Sequence, residues 1–385
     1  MEVLAASAIA VCCLALAIHP TLRPGAVDAP VTAAAPVTTA VAVNPAKARP
    51  RIEVVFVLDT TGSMSGLLEG AKQKIWAIAN RLASGEPRPE LRVGLVAYRD
   101  LEDEYVTRRF DFSADMDAVY AELLAYEAGG GGDTPEHVGR GLDEALNNMQ
   151  WSGGQDTLRL VFLVGDAPPH DDYQDASTAT LANLAGQRGI IINTVQCGVA
   201  DDTETAWRRI AAAAGGEFTR IAQDGGVVTV ATPFDERLAQ LNGELAATVL
   251  SWGSADAKRA AQVKYGNRMS MSTSNAAEAA SYSAKAARMN DEDLLGTLDE
   301  GKALADIPHD QLPEVLQGLS AAAQQQHIDD MRGKRSRVNE AIRAVSAERD
   351  AYLRDNERKA GADGGFDGKV TDTLRRQAAA IGVVY

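Results

Sequence analysis

Three short segments rich in side-chain oxygens are the parts of this sequence whose residue types could do chemistry. They span residues 59–65, 129–136 and 165–169. Two carboxylates and three hydroxyls in them could bind one ligand together, and these belong to Asp59, Thr61, Ser63, Thr134 and Asp166. Hard cations prefer oxygen donors without histidine or cysteine, so the set predicts a site for Mg²⁺, Mn²⁺ or Ca²⁺.

The spacing of the first three residues favours a shared ligand. Asp59, Thr61 and Ser63 alternate along the chain, so in a turning loop their side chains can point to one spot. Neutral hydroxyls donate little charge, and a cation held in part by hydroxyls would stay electrophilic. Such a cation could accept a carboxylate from a partner. Each hydroxyl also suits a simpler role as a helix cap, and the two roles can coexist.

The neighbouring elements explain how these segments could meet. Residues 52–58 and 158–164 are apolar runs that predict buried strands, and they end directly before the first and third segments. The second segment opens a helix predicted over residues 136–149. In an open parallel sheet, ligands bind outside the carboxyl ends of the strands, where the strand order reverses. If the two strands are central neighbours, all three segments converge there.

The alternation of strands and helices continues over residues 51–250 and predicts an α/β fold. The expected core is a doubly wound, mostly parallel sheet with helices on both faces. Residues 251–385 lack strand signals and predict an α-helical extension, with helices over 254–264, 275–288, 311–325, 334–355 and 368–381. An apolar seam of Val338, Ile342, Val345 and Leu353 is typical of a helical hairpin or coiled coil, which would support self-association.

The N-terminus predicts export. Val3 to Ile18 is an uncharged apolar run that is short for a membrane span and suits the core of a signal peptide. We therefore expect residues 1–20 to be a signal peptide or a signal anchor in the membrane, although Glu2 stands where a basic residue is usual. Residues 21–50 read as an Ala/Pro/Val-rich linker. The expected location is extracytoplasmic: periplasmic, secreted or membrane-anchored.

Charge and cysteine content exclude several classes of function. The 385 residues carry a formal net charge of -15, nearly all of it within the first 250 residues. A protein this acidic does not coat nucleic acid, because phosphate binding needs a basic surface. Beyond the N-terminal apolar run Cys197 is the lone cysteine, so neither a disulfide framework nor a cysteine zinc site is available. It is expected to lie inert at a strand end.

These segments resemble the von Willebrand factor type A (VWA) domain and its metal-ion-dependent adhesion site (MIDAS). The family pattern Asp-x-Ser/Thr-x-Ser is met by Asp59, Thr61 and Ser63, its second-loop threonine by Thr134 and its third-loop aspartate by Asp166. The resemblance covers residues 51–250 and implies six strands, one of them antiparallel at an edge. The loop sequences, including Asp-Thr-Thr-Gly-Ser at residues 59–63, are similar to those of a bacterial-type branch of the family.

Three interpretations of function follow. The resemblance implies a Mg²⁺-dependent adhesion or scaffold module, in which an Asp or Glu of a protein partner completes the coordination of the cation. A metal-dependent hydrolase using the same site, with His170 and Asp171, is the alternative. In the third interpretation the helical extension does the work as an oligomerisation element. Because Cys197 has no neighbouring histidine and the serines belong to the metal segments, binding is favoured over catalysis.

Overall fold

The structure is a computed structural model that describes residues 49–132, 134–170, 172–173, 177–221, 231–286, 289–360 and 366–385. The predicted leader over residues 1–20 lies outside the described residues, as does nearly all of the predicted linker. From Ala48 to Tyr385 the chain forms one compact unit. Among its described helices, none is both long and apolar enough to cross a bilayer.

Six strands form one sheet in the order β3-β2-β1-β4-β5-β6. Their bounds are Arg51–Asp59 (β1), Glu90–Tyr98 (β2), Thr107–Ser113 (β3), Thr157–Gly165 (β4), Ile190–Cys197 (β5) and Phe218–Ile221 (β6). All neighbours pair in parallel except β2 and β3, so the antiparallel strand lies at an edge. The predicted fold class is confirmed, and the strand order reverses between β1 and β4.

Twelve α-helices lie among the described residues. Those of the alternating part are Ser65–Leu82 (α1), Met116–Ala125 (α2), Val138–Asp143 (α3), Thr178–Gln187 (α4), Asp201–Ala213 (α5) and Asp235–Ala246 (α6). Those of the extension are Ala255–Met269 (α7), Thr273–Ser283 (α8), Leu294–Asp299 (α9), Glu314–Gln317 (α10), Ala321–Ala360 (α11) and Phe366–Ala379 (α12). A π-helical turn over Glu144–Asn148 prolongs α3, and Ser177, Ser254 and Ser272 cap α4, α7 and α8.

Each face of the sheet has its own apolar core. On one face, α3, α4 and α5 cover the strands with buried side chains that include Leu142, Leu181 and Trp207. On the other face, α1 and α2 pack together with residues of the extension: Tyr282 of α8, Leu374 and Ala378 of α12, and Val383. The helical extension is therefore part of the core over β1 and does not stand apart from the sheet.

The extension also corrects two of the sequence-based expectations. A single helix predicted over residues 311–325 is wrong: a short α10 and the first turn of the 40-residue α11 occupy this stretch. Val338 and Ile342 of the predicted seam are buried against α6 and α8 of the same chain, with Val345 partly buried beside them. The seam is thus not free for a coiled coil with a second copy, because periodicity identifies an apolar face but not its partner.

A buried arginine joins the extension to the alternating part of the fold. Arg268 of α7 donates to both carboxylate oxygens of Asp117 on α2, at 2.8 and 3.0 Å. It also donates to Asn242 of α6 at 2.7 Å and to Ser283 of α8 at 2.8 Å. One guanidinium therefore connects four helices in a site closed to solvent.

Replacing Arg268 by alanine is expected to lower the free energy of unfolding by about 3–5 kcal/mol, because Asp117 would stay buried without its cation. Arg259 on the same helix is exposed and pairs with Asp256, so Arg259→Ala should change stability by less than about 0.5 kcal/mol. Urea unfolding followed by circular dichroism measures both values. Equal stability of the two variants would contradict the role assigned to Arg268.

Candidate metal centre

The three oxygen-rich segments meet at the reversal point of the sheet. The first segment follows β1 and the third follows β4, which are hydrogen-bonded neighbours along their length. The second segment leads into α3, which packs on the face of β1 and β2. The carboxyl ends of parallel strands are where ligands bind in folds of this kind. The sequence-based prediction that the segments converge is confirmed.

Backbone hydrogen bonds fix the first and second segments to each other. The Gly62 N–H donates to the Gly130 carbonyl at 3.2 Å, and the Gly129 N–H donates to the Thr60 carbonyl at 3.0 Å. Gly130 and Gly131 have φ of +73°, a conformation that favours glycine, so the glycine run is needed for this path of the chain.

The side chain of Arg99 also holds the first and second segments together. Its guanidinium donates to the Thr60 carbonyl at 3.1 Å and to the Glu127 carbonyl at 2.7 Å. The side chain is buried and lies over the ring of Tyr105. Its burial and its two carbonyl contacts make Arg99 a support of the loops.

The second and third segments are joined at Glu136. Its N–H donates to the Pro168 carbonyl at 3.0 Å, and its own carbonyl accepts from the His170 N–H at 3.0 Å. A further carboxylate, that of Asp103, accepts from the Gly131 N–H at 3.0 and 3.1 Å. Sequence reasoning missed Asp103 and Glu136, because neither stands at a position of the five-residue pattern.

Four of the five predicted ligands form one chain of hydrogen bonds. Asp59 Oδ1 accepts from the Thr61 N–H at 2.9 Å and from the Thr61 hydroxyl at 2.7 Å. The Thr61 and Ser63 hydroxyls lie 3.2 Å apart, and Ser63 donates to Asp166 Oδ1 at 3.0 Å. The alternation of the first segment therefore does turn these side chains toward a common spot. Thr134 is exposed on the second segment and makes no hydrogen bond to these four residues.

The second carboxylate oxygen of Asp59 is buried and, among the described residues, has no hydrogen-bond partner. Asp59 is 0 % exposed. Burial raises the pKa of Asp59 to about 7, an effect that hydrogen bonds from Thr61 and the neighbouring Tyr98 hydroxyl oppose and the charge of Asp166 reinforces. Gly165 keeps this region open, because a Cβ at that position would lie 2.5 Å from the Tyr98 hydroxyl and 3.1 Å from Asp59 Oδ2.

Glu136, like Asp59, is a buried carboxylate with one unpartnered oxygen. It is 3 % exposed, and its Oε2 atom is buried without a hydrogen-bond partner among the described residues. Burial, together with the nearby charges of Asp59, Asp100 and Asp103, raises the pKa of Glu136 to about 8, against a hydrogen bond from Thr61 that lowers it. Two buried carboxylates with raised pKa values beside each other are typical of a functional site that expects a positive charge.

The third segment continues into an aromatic rim. Tyr173 donates to both oxygens of Asp100 at 2.9 Å, and its ring stacks on His170 at 4.1 Å between centroids. His170 Nδ1 lies 2.8 Å from Asp172. Asp171, which the hydrolase alternative needs beside His170, lies outside the described residues. Cys197 is a buried free cysteine at the end of β5, and burial raises its thiol pKa.

Residues 53–232 match the family model of the von Willebrand factor A domain. The six-stranded sheet and the three joined loops lie within or around this range. Residues 53–232, a little under half of the chain, are thus similar to the VWA domain. Domains of this family are typically adhesion or protein-binding modules and are generally non-catalytic.

Several proteins are similar to parts of this chain. An alpha-protein kinase of Dictyostelium discoideum is 29% identical over 122 residues, which are 31% of this chain and 19% of that protein. The chain thus spans about a fifth of that relative. Among solved structures, proximal thread matrix protein 1 from the mussel byssus, with a zinc-occupied MIDAS motif, is 16% identical with a TM-score of 0.37, covering 46% of this chain and 43% of its own.

The pilus adhesin SpaC from Lactobacillus rhamnosus GG is 14% identical with a TM-score of 0.37, covering 47% of this chain and 29% of its own.

The residues of this site fit a hard cation. Asp59 contributes a buried carboxylate oxygen that lacks a partner among the described residues, and Thr61, Ser63 and Asp166 lie in one hydrogen-bonded chain with it. Across the described part of the chain, no three His, Cys, Asp or Glu side chains gather into a metal site of their own. A cation here would therefore depend on hydroxyl oxygens together with carboxylates, which is the donor set of Mg²⁺, Mn²⁺ or Ca²⁺.

Exchanging Arg99 for methionine is expected to loosen the first and second loops, because two carbonyls lose a charged donor while the apolar stem is kept. Such hydrogen bonds contribute about 1.5–3 kcal/mol, so amide exchange at Gly62 and Gly129 should become at least about tenfold faster. Arg108→Met is the matched control, since Arg108 lies over the same Tyr105 ring but donates to exposed Glu104. Unchanged protection in Arg99→Met would refute this assignment.

Proposed function

We propose that this protein is a divalent-cation-dependent protein-binding module, an adhesion or scaffold element, in which a MIDAS cation is completed by an acidic residue of a partner. Asp59, Thr61, Ser63, Thr134 and Asp166 would hold the cation, with Mg²⁺ the expected ion. When bound, the cation supplies a positive point that a partner's Asp or Glu can bind. The match of residues 53–232 to a family of binding modules supports the class of function.

The observation that carries the proposal is the buried, unpartnered oxygen of Asp59 among the described residues. A carboxylate taken out of water costs several kcal/mol unless it is paired or coordinates a metal. The charge of Asp166, which is also negative, raises the pKa of Asp59. A divalent cation would compensate this negative charge and give the oxygen a partner.

The residues of this chain have separate tasks in such binding. Thr61 orients the Asp59 carboxylate through two hydrogen bonds to one oxygen, which leaves the other oxygen directed away from the loop backbone. Ser63 connects the first segment to Asp166. The exposed Ser63 and Thr134 lie at the solvent side, where a partner would approach. Asp59 and Thr61 lie buried beneath them.

Asp59→Asn tests the proposal, because asparagine keeps the shape of the side chain and removes its charge. The wild-type protein is expected to bind Mg²⁺ in titration calorimetry, and the variant is expected to lose this binding while its circular dichroism stays unchanged. Asp111→Asn, an exposed aspartate on the edge strand β3, is the matched control and should bind as the wild type does.

The partner chemistry is tested on immobilised peptides that contain Asp, each paired with an Asn counterpart. Capture of the Asp peptides should need Mg²⁺, disappear in EDTA and disappear in Asp59→Asn. Capture that persists in EDTA, or that does not distinguish Asp from Asn, would overturn the proposal. Phosphoester or peptide turnover that is lost in Asp166→Ala would favour the hydrolase alternative instead.

We also propose an extracytoplasmic location, which rests on the apolar run Val3 to Ile18. The membership in a bacterial-type branch rests on the loop sequences alone and stays a prediction. Self-association through the Val338 and Ile342 seam is not proposed again, since that seam is buried within the chain.

A further inference from the structure

Glu136 has a carboxylate that the five-residue MIDAS pattern does not use. It is 3 % exposed, and Oε2 has no hydrogen-bond partner among the described residues. A Cβ placed on Gly131 would lie 3.1 Å from Glu136 Oε1 and 3.1 Å from the Thr61 Cβ, so the carboxylate lies beside the first metal segment. It therefore faces the candidate cation site rather than solvent.

The backbone holds Glu136 in this place. Hydrogen bonds on both its N–H and its carbonyl tie it to the third segment, at Pro168 and His170. The helix α3 begins two residues later at Val138, which is completely buried. These bonds fix the position of the Glu136 backbone, from which the side chain extends into the protein and is 3 % exposed.

The charges around Glu136 do not stabilise its ionised form. The nearby charges that act on it are the carboxylates of Asp59, Asp100 and Asp103, and a hydrogen bond from the Thr61 hydroxyl opposes them. The buried Arg99 guanidinium is directed to the Thr60 and Glu127 carbonyls instead. A buried carboxyl oxygen without a hydrogen-bond partner among the described residues destabilises the fold, and glutamine would fill the same volume. This oxygen is therefore placed for a contact that the isolated fold does not supply.

We propose that Glu136 is a positioning residue of the cation site, which acts through a water molecule of the cation and adds a third negative charge to those of Asp59 and Asp166. This inference rests on the proposed function. A role through water agrees with the finding that no three acidic or imidazole groups gather directly on one point among the described residues. Residues behind the direct ligands commonly set metal affinity by about 10–100-fold.

The test compares Glu136→Gln with Glu127→Gln in the full chain. Glu127 lies on the same loop, is exposed and uses only its backbone carbonyl to hold Arg99, so it is a matched control. Mn²⁺ affinity, measured by electron paramagnetic resonance of the free ion, is expected to fall about 10–100-fold in Glu136→Gln and to stay unchanged in Glu127→Gln. The thermal midpoint of the metal-free Glu136→Gln protein should equal or exceed that of the wild type.

The proposal predicts that Glu136→Gln lowers Mn²⁺ affinity but does not lower the stability of the metal-free protein, and this distinguishes it from a structural role. A fall in both metal affinity and metal-free stability would overturn it, because a merely structural residue moves the two together. Unchanged Mn²⁺ affinity in Glu136→Gln, with normal binding by the wild type, would also overturn it and leave the proposed function standing. Failure of the wild type to bind Mn²⁺ would overturn both.

A second variant keeps the test decisive if Glu136→Gln does not fold. Glu136→Asp retains the charge on a shorter side chain, and its Mn²⁺ affinity is expected to lie within about tenfold of the wild type. A loss greater than that in a folded Glu136→Asp protein would contradict a role based on charge.

Discussion

The burial of negative charge at the carboxyl ends of β1 and β4 is the constraint on which the rest of this structure depends. Asp59 is completely buried, and Glu136 is nearly so, yet both have an oxygen without a hydrogen-bond partner among the described residues. Such groups raise the free energy of the folded state, because desolvation is not offset by new contacts. The surrounding loops must therefore be held in place by contacts that do not involve these carboxylates.

Those contacts are mostly backbone hydrogen bonds, and this explains the composition of the loops. Gly129 and Gly130 bring the second loop within hydrogen-bond distance of the first, while Glu136 joins it to the third. Arg99 adds a charged donor beneath the loops, where its guanidinium binds two carbonyls and the exposed Glu104 rather than the buried carboxylates of Asp59 and Glu136. The scaffold is thus rigid without neutralising the site, which is the arrangement that a binding site for a cation requires.

The sequence could predict the fold and four of the converging ligands because these depend on local patterns. Apolar runs before Asp59 and Asp166 placed both at strand ends, and alternation placed Thr61 and Ser63 beside Asp59. Glu136 and Asp103 could not be found in this way, since their roles depend on contacts between loops that are distant in sequence. The apolar seam at Val338 is a second example. Its periodicity predicts an apolar helix face but does not predict that α6 and α8 cover this face.

The acidity of the first 250 residues now bears on how a cation would control binding. Asp59, Asp100 and Asp103 all lie close enough to act on Glu136, so an acidic partner group would meet repulsion there. A divalent cation in the site would turn this repulsion of an acidic partner group into attraction at one point. The outer rim, which includes exposed Asp172, would stay negative. An acidic group surrounded by basic residues would be attracted by both parts of this field. Cation dependence then follows from the local field itself, without a change in the shape of the loops.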